Sequence, residues 1–453
     1  MPTRLLAIAR NTFLESIRQP IYFLLLLLCG ICMVFLTWST AYSMADSSAA
    51  EVSGDTKFLF ELGLGTVFIF GTLLAAFIAT AVVTKEIERK TILTVISKPA
   101  SRVTVIVGKY LGVSVAMTVA VLCMALFLLF SIEHGVMSVA SDRVNVAVIG
   151  SIAISMGIAV LLAGAANYLY GWPFSQTAIL VMTPALVIAY LIFVAAGWGE
   201  KPGGSHDEHA AEQFLGLDLK TQVLRASVGL LIANLVMSSV AIMFSTRFNQ
   251  VLTIAFSTAF LVLGLLTNTL VGKHAWTNEP IGVVDEVTFE HPASRDMTDA
   301  GDLCEVRLIA LPSLGLSVGG PVYYGPVPNG AFLSVAVADE RIAPGQQPVI
   351  ERGLVVREAV GERFKAENVG GHGVARAPRK GDYVFRQATQ VRPVVAILWL
   401  ALPNLNYFWL LDAVSMAVPI PVSHLGLIGA YGLCQVVFFL GVAVVLFQKR
   451  DIG

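Results

Sequence analysis

Long apolar runs separated by short polar segments dominate the chain, and most of these runs approach the length of a membrane span. Because a helix rises about 1.5 Å per residue, about 20 apolar residues cross a hydrocarbon core about 30 Å thick. The pattern predicts a polytopic α-helical membrane protein with about eight transmembrane helices. The predicted spans are residues 21–44, 60–83, 110–130, 144–168, 174–196, 223–242, 251–271 and 425–447.

One further apolar stretch, residues 394–418, is interrupted in its middle. It contains Pro403, Asn404 and Asn406 and carries the charge of Asp412. Irregular backbone survives at membrane depth only where protein buries it. We therefore predict a re-entrant or interfacial segment over residues 393–423, which the last span and the C-terminus follow at 424–453.

The short segments between spans predict the orientation, because cytoplasmic loops carry the excess of Lys and Arg. The N-terminal arm has three basic residues and one acid, and residues 84–109 have six basic residues and two acids. The C-terminal Lys449 and Arg450 agree with this assignment. We expect a plasma (inner) membrane protein with both termini in the cytoplasm.

A soluble domain interrupts the series of spans at residues 273–392, after spans 1–7 at 21–272. Residues 274–392 hold 27 of the 61 charged residues of the chain. Short β-branched runs separated by Gly, Pro and Asn clusters predict a small all-β sandwich or barrel. The parity of the span count, with both termini in the cytoplasm, would place it outside the cytoplasm. The predicted strands are residues 304–311, 331–338, 349–356 and 381–391.

Composition excludes several classes of function. The chain is 56% hydrophobic, 13% charged and carries a net charge of -1, so no global field attracts nucleic acid. Its five cysteines, mostly in apolar runs, exclude a disulfide framework. The predicted spans hold almost no ionisable groups, which argues against ion-coupled transport.

The sequence lacks the motifs of P-loop nucleotide hydrolysis and of zinc proteases. It has no GxxxxGK[ST] or HExxH pattern, and we assign no catalytic residue, no metal and no cofactor to this chain. The run from His206 to His209, with Glu212, has a spacing that a metal ion could use on a helix, but a solvated acidic loop explains it more simply.

The N-terminal arm, residues 1–20, has the periodicity of an amphipathic helix. Its apolar positions recur at spacings of three and four, with basic side chains elsewhere. We predict an elbow helix lying along the inner membrane surface, and a cytosolic helix packed on a loop is the alternative. The apolar positions are Leu6, Ala9, Phe13 and Ile17, and the basic ones are Arg4, Arg10 and Arg18.

The cytoplasmic segment between the second and third spans also shows a helical pattern. Glu88, Ile92 and Ile96 fall along one side of a short helix that Pro99 would end. Apolar side chains next to acidic and basic ones suit insertion of this helix into a cleft of a partner protein. On pattern alone, a solvated loop that only sets topology is equally compatible.

A family resemblance favours the first interpretation. The sequence Glu86-Ile-Glu-Arg-Lys-Thr91, then Ser97-Lys-Pro99-Ala-Ser-Arg102 and Gly108-Lys109, resembles the segment after the second span of ABC-2-type transporter permeases. Three further motifs are similar to that family's elbow, the end of its fourth helix and its terminus. They are Ala9-Arg10-Asn11-Thr12-Phe13, Phe244-Ser-Thr246 and Phe447-Gln-Lys-Arg450-Asp451.

The resemblance implies six core helices, a permease that pairs with a second copy or a homologue, and a separate subunit that binds and hydrolyses ATP. It implies that this ATPase docks on the cytoplasmic coupling segment, residues 84–109. The chain departs from the family in Lys90, in two extra spans at 144–196 and in the inserted β domain. The implied contacts of the ATPase are Glu86, Glu88, Arg89, Thr91, Ile92, Ile96, Lys98 and Arg102.

Two functions remain open on the sequence. The first is the permease subunit of an ATP-driven transporter that exports a substrate or transmits mechanical work to an envelope protein. The second is a non-transporting membrane anchor or envelope assembly factor acting through its outer β domain. Membrane lipid surrounds the chain in both, and nothing in the sequence indicates the substrate.

Overall fold

The computed structural model divides the chain into a helical unit and a β-rich unit. The helical unit comprises Met1–Leu265 and Pro403–Gly453, and the β-rich unit comprises Leu266–Leu402. The structure describes residues 2–40, 54–84, 101–137, 144–198, 219–289, 297, 299–341, 349–370, 374–415 and 418–448.

The helices are numbered here in chain order. A π-turn, Thr80–Thr84, continues α3, a second π-turn covers Asn268–Gly272, and a 3₁₀ turn covers Leu405–Phe408. The helices are α1 (Pro2–Ile17), α2 (Pro20–Ser39), α3 (Gly54–Ala79), α4 (Arg102–His134), α5 (Val146–Tyr170), α6 (Phe174–Ala195), α7 (Leu219–Ser245), α8 (Gln250–Leu265), α9 (Lys273–Ala275), α10 (Pro393–Ala401), α11 (Leu411–Ser415) and α12 (Val422–Gln448).

Seven helices of the described chain are long and apolar enough to cross a membrane, namely α2 to α7 and α12. Two bent pairs raise the number to nine if each pair is one span, and these pairs correspond to the predicted span 251–271 and the predicted broken stretch 394–418. The prediction of a polytopic helical membrane protein is confirmed. The predicted number of eight lies within this range.

Helices α3, α4 and α7 form the centre of the helical unit, and α5 and α6 form a hairpin at its periphery. Most residues of the central three are buried, whereas most residues of α5 and α6 are not. Local signals fix the ends of α4. The Ser101 side chain accepts a hydrogen bond from the backbone of Thr104, and Gly135 ends the helix with a φ of 73° that suits glycine.

The β-rich unit contains a seven-stranded antiparallel sheet and a two-stranded sheet within its described residues. The order in the large sheet is β4-β8-β2-β3-β7-β6-β5, and β1 pairs with β9. The strands are β1 (Trp276–Thr277), β2 (Pro280–Phe289), β3 (Leu303–Leu308), β4 (Tyr323–Gly325), β5 (Asp339–Arg341), β6 (Val349–Val360), β7 (Arg363–Val369), β8 (Tyr383–Phe385) and β9 (Gln390–Val391).

The large sheet curls back on itself. The backbone of Gly319 donates to the carbonyl of Val356, and that of Val322 donates to Leu354, so the chain before β4 pairs with β6. β4 itself pairs with β8 at the other side of the sheet. This closure gives the unit a barrel-like core and protects strand edges. A separate β region was predicted, and the structure confirms that it exists.

One predicted strand was wrong. Residues 331–338 form an irregular segment, in which Val335 makes an isolated bridge to Val374. The turn at Asn329 and Gly330, and a positive φ of 60° at Phe332, bend the backbone out of the extended conformation. The predicted strand 381–391 is divided into β8 and β9. The sequence interpretation also missed β1, β2, β4, β5 and β7. Charged residues interrupt the apolar alternation of β2, β5 and β7, and β1 and β4 are only two and three residues long.

The thiol of Cys304 lies inside the β-rich core, and burial raises its pKa to about 12. Because the thiolate is the reactive form, we expect no alkylation of Cys304 by iodoacetamide at about pH 8 in the folded protein. Mass spectrometry of a variant that retains Cys304 alone measures this. Modification should appear only with denaturant, and rapid labelling without denaturant would contradict the buried placement.

Candidate coupling region at the base of the helical unit

Four helix ends meet at one end of the helical unit, which we call the base. They are the end of α3 at its π-turn, the start of α4, the end of α7 and the end of α12. Hydrogen bonds between the π-turn and α4, between the π-turn and α7, and between α4 and α12 join them. The predicted coupling segment covers residues 84–109, and its residues 85–100 connect two of these ends.

The π-turn Thr80–Thr84 is buried throughout. The hydroxyl of Thr84 donates to the carbonyl of Ser245 over 3.3 Å and so joins the end of α3 to the end of α7. Single π-turns inside α-helices occur frequently at functional sites. Here the π-turn lies immediately before the coupling segment, so its position determines where that segment begins.

Lys109 is a buried cation at the base. Its Nζ donates to the carbonyl of Val82 in the π-turn over 2.8 Å, and the residue is 4% exposed. An ammonium in a buried position needs such an acceptor. Lys109 therefore fixes the first turns of α4 against the end of α3. The sequence interpretation used this residue only for the orientation and the family resemblance.

Arg102 joins the start of α4 to the end of α12. Its guanidinium donates to the carbonyls of Phe447, at 3.2 Å, and Gln448, at 2.7 Å, and lies over the Phe447 ring. A cation at a helix C-terminus binds carbonyls that have no partner within the helix. A contact of Arg102 with an ATPase remains a prediction, and the structure gives the guanidinium a partner within the chain.

Helix α1, the predicted elbow, packs against two glycines of α4. A Cβ atom at Gly108 would lie 2.8 Å from the side chain of Ile8, and one at Gly112 would lie 2.4 Å from the carbonyl oxygen of Ala9. Small residues four apart let two helices approach closely. Of the predicted apolar positions, Ala9 makes a close contact and Ile17 is buried, but Leu6 is 72% exposed. Ile8 and Thr12 supply the other close contacts.

The other predicted elbow residues have the following environments. Arg4 and Arg10 are exposed, and Phe13 is half-buried against the core of the unit. Arg18 follows the helix and its Nε donates to the amide oxygen of Gln176 at the start of α6 over 2.7 Å. Their role at a membrane surface remains a prediction.

The remaining predicted contacts lie outside the described residues. These are Glu86, Glu88, Arg89, Thr91, Ile92, Ile96 and Lys98. Both ends of the segment that carries them are described, at Thr84 and Ser101, and each adjoins a helix that the base contacts hold in place.

The opposite end of α4 contains ionisable groups that the sequence interpretation missed. Glu133 is buried, pairs with Lys220 of α7 at 2.7 Å and accepts a bond from Tyr190 of α6 at 3.4 Å. The predicted span ended at Phe130, but the helix continues to His134. Gly135 after that residue is a helix stop signal that could have extended the predicted span.

No group of three or more His, Cys, Asp and Glu side chains suited to a metal ion occurs among the residues that the structure describes. The sequence run from His206 to His209 lies outside them.

The described residues of the motifs that carry the family resemblance lie in or beside the base, and the comparison with known families covers those before residue 200. No curated protein matches the chain. The family model described as ABC-2 family transporter protein matches residues 6–199. The match contains α1, the π-turn, the coupling segment and α4, includes α5 and α6, and ends before Phe244-Ser-Thr246 and Phe447. Over residues 6–199 the chain is therefore similar to ABC-2 family transporter proteins, and the predicted resemblance is confirmed.

Proposed function

We propose that this chain is the permease subunit of an ATP-driven transporter and that a separate subunit binds and hydrolyses the ATP. The match to the ABC-2 family over residues 6–199 carries the proposal. In this proposal the base faces the cytoplasm, the β-rich unit is extracytoplasmic, and a second permease copy or a homologue completes the transporter.

The contacts at the base support a specific route for the mechanical coupling. A partner that closes on residues 85–100 would act on both ends of that segment. Thr84 would pass the movement to α7 through Ser245, and Arg102 would pass it to α12 through the terminal carbonyls. Helix α1 would move with α4 because the two are closely packed at Gly108 and Gly112.

Work transmitted in this way has two possible uses. The helices could export a substrate, or the β-rich unit could transfer the movement to an envelope partner. In both, the bound ATP belongs to the partner subunit, and the chain contributes the docking surface.

The proposal predicts that the double substitution Ile92→Asp, Ile96→Asp abolishes ATPase stimulation and ATPase binding. Two carboxylates in an apolar contact would lose their hydration without gaining partners. The measurement is affinity purification of the tagged chain from its native membrane in mild detergent, with ATPase assay and mass spectrometry of the proteins that accompany it.

A matched control keeps this experiment specific. Leu311→Asp, Leu314→Asp places the same charges on exposed apolar positions of the β-rich unit, which are 69% and 51% exposed. This control should retain the ATPase. A double variant at Ile92 and Ile96 that retains full stimulation, or a wild-type chain that brings down no nucleotide-binding subunit in several detergents, would overturn the proposal.

A further inference from the structure

The buried face of α8 is small and polar. Membrane helices commonly meet through small residues, but the hydroxyl groups at such interfaces are usually hydrogen-bonded. Its buried residues are Thr253, Ser257 and Gly264, whose spacing places them on one side of the helix. Helix α8 packs against α3, the π-turn and α7. We call the interface between α8 and the α3–α7 pair the seam.

Three polar atoms in α7 and α8 have no hydrogen-bond partner within the described part of the chain. They are the hydroxyls of Thr253 and Ser257 and the amide nitrogen, Nδ2, of Asn234 in α7. All three residues are at most 1% exposed. The neighbouring Thr258 is exposed and its hydroxyl donates to the carbonyl of Ile254 over 2.9 Å. Buried polar groups are normally paired, so three in two packed helices require an explanation.

Asn234 is held in position by its surroundings. The hydroxyl of Thr72 in α3 donates to its Oδ1 over 3.2 Å, which leaves Nδ2 as the group without a partner in the described chain. A Cβ atom on the adjacent Gly71 would lie 2.5 Å from Nδ2. The absence of a side chain at Gly71 therefore makes room for a polar amide in the middle of the unit.

The three groups lie at increasing depth from the base. Thr253 and Ser257 follow Gln250 at the start of α8, and Asn234 precedes Ser245 at the end of α7. At about 1.5 Å per residue, their depths are about 5, 10 and 16 Å. The buried polar groups without a described partner therefore extend from the base to about half the length of α7.

The same half of the interior is rich in small hydroxyl side chains, and Lys109 adds a buried positive charge at the base. The hydroxyls of these side chains donate to oxygens of the chain itself, so the donors without a described partner are those of Asn234, Thr253 and Ser257. Such donors favour ligands that carry hydrogen-bond acceptors over acyl chains. The buried hydroxyl residues of α3, its π-turn and the α7 end are Thr72, Thr80, Thr84, Ser238, Ser239, Ser245 and Thr246.

We propose that the seam opens from the base to admit water and a hydrophilic cargo that carries oxygen acceptors, and that Asn234 donates its Nδ2 hydrogen bond to this cargo. The identification of the ligand as cargo rests on the proposed permease function. In the conformation described, the seam is closed and these polar groups are buried without a partner among the described residues. This lowers the stability of the closed form, so the seam opens transiently in the isolated chain.

Cysteine accessibility tests this inference in the isolated full chain. Ser257→Cys and Thr258→Cys are each introduced into a variant without the five native cysteines, purified into lipid nanodiscs and treated with a charged, water-soluble methanethiosulfonate. Position 257 faces the seam, and position 258 is the matched control on the exposed side of the same helix. Val360→Cys, on an exposed hairpin of the β-rich unit, is the control for full reactivity.

We expect the thiol at position 257 to react at least about tenfold faster than the thiol at 258, although it is the more buried position. Thr253→Cys tests the same seam if the first variant is not monodisperse. The double substitution Thr72→Val, Asn234→Leu removes the polar pair and should slow the reaction at 257 by about tenfold, which corresponds to about 1.4 kcal/mol. Equal or slower reaction at 257 and 253 than at 258, with full reaction at 360, would overturn the inference.

This outcome is independent of the proposed function, because no ATPase is present in the labelling experiment. Binding of an ATPase without reaction at position 257 would overturn the inference about the seam and leave the proposed function standing. Reaction at position 257 without any co-purified ATPase would support the hydrated seam and overturn the permease assignment.

Discussion

Replacing Gly112 by alanine should detach α1 from α4. The new methyl group would lie 2.4 Å from the carbonyl oxygen of Ala9, 2.6 Å from the Cβ of Thr12 and 2.9 Å from the backbone nitrogen of Phe13. Two of these atoms belong to the backbone of α1 and cannot turn away as a side chain can. The helices must therefore separate, and we expect a loss of about 1–3 kcal/mol in stability.

The chain offers a matched control for this substitution. A methyl group at Gly164, in the middle of α5, would meet no neighbouring atom of the described chain within 4 Å. Gly164→Ala should therefore be neutral or stabilise the helix by about 0.5–1 kcal/mol. Thermal unfolding in detergent compares the two variants, and limited proteolysis shows whether α1 becomes cleavable. Equal melting temperatures and an uncleaved α1 in both variants would contradict the close packing of α1 on α4.

In the proposed permease, this substitution has a functional consequence as well. Helix α1 would no longer move as one body with α4, so ATPase binding through residues 85–100 should remain while transmission to the elbow is lost. The variant would therefore separate docking from coupling.

The sequence predicted the helical part well, because long apolar runs are a strong local signal. The ends of helices were less accessible. The span that ends at Phe130 in the prediction continues through Glu133 and His134, since partners on α6 and α7 compensate the burial of the carboxylate. Hydropathy cannot include such compensation, because the partners lie far apart in the sequence.

The β-rich unit was harder to predict for a related reason. Strands β2 and β7 carry charged residues among their apolar ones, and only their pairing with β3 and β6 identifies the buried face. The irregular segment that includes Phe332 is as apolar as a strand, but the preceding turn and the positive φ prevent extended pairing. Long-range pairing therefore determines strands β2 and β7, and local backbone geometry determines the irregular segment.

At the base, the sequence indicated the participating segments and the structure supplied their connections. The motifs at 9–13, 108–109, 244–246 and 447 lie far apart along the chain, and in the sequence only the family resemblance relates them. Packing of α1 on Gly112, the bond from Lys109 to Val82 and the bonds from Arg102 to α12 bring them to one end of the unit. No local pattern could indicate that Arg102 binds a helix terminus 345 residues away.

The ion pair at the other end of α4 should respond asymmetrically to substitution. The Glu133 side chain is 4% exposed, whereas that of Lys220 is 48% exposed. Lys220→Met leaves a buried carboxylate without its cation, and we expect a loss of about 1–3 kcal/mol, which is below the value for a fully buried pair because water reaches this lysine. Glu133→Gln leaves the lysine free to enter water and should cost less than about 1 kcal/mol.

Thermal unfolding of the two single variants and of the double variant measures this asymmetry. The double variant should resemble Glu133→Gln, because the cost of Lys220→Met comes from the carboxylate that Glu133→Gln removes. Equal losses from both single variants would mean that the pair is solvated at both ends and does not hold α4 to α7. A larger loss of stability from Lys220→Met would show that the ion pair holds α7 to α4 at this end. A displacement applied at the base would then tilt α7 about the ion pair.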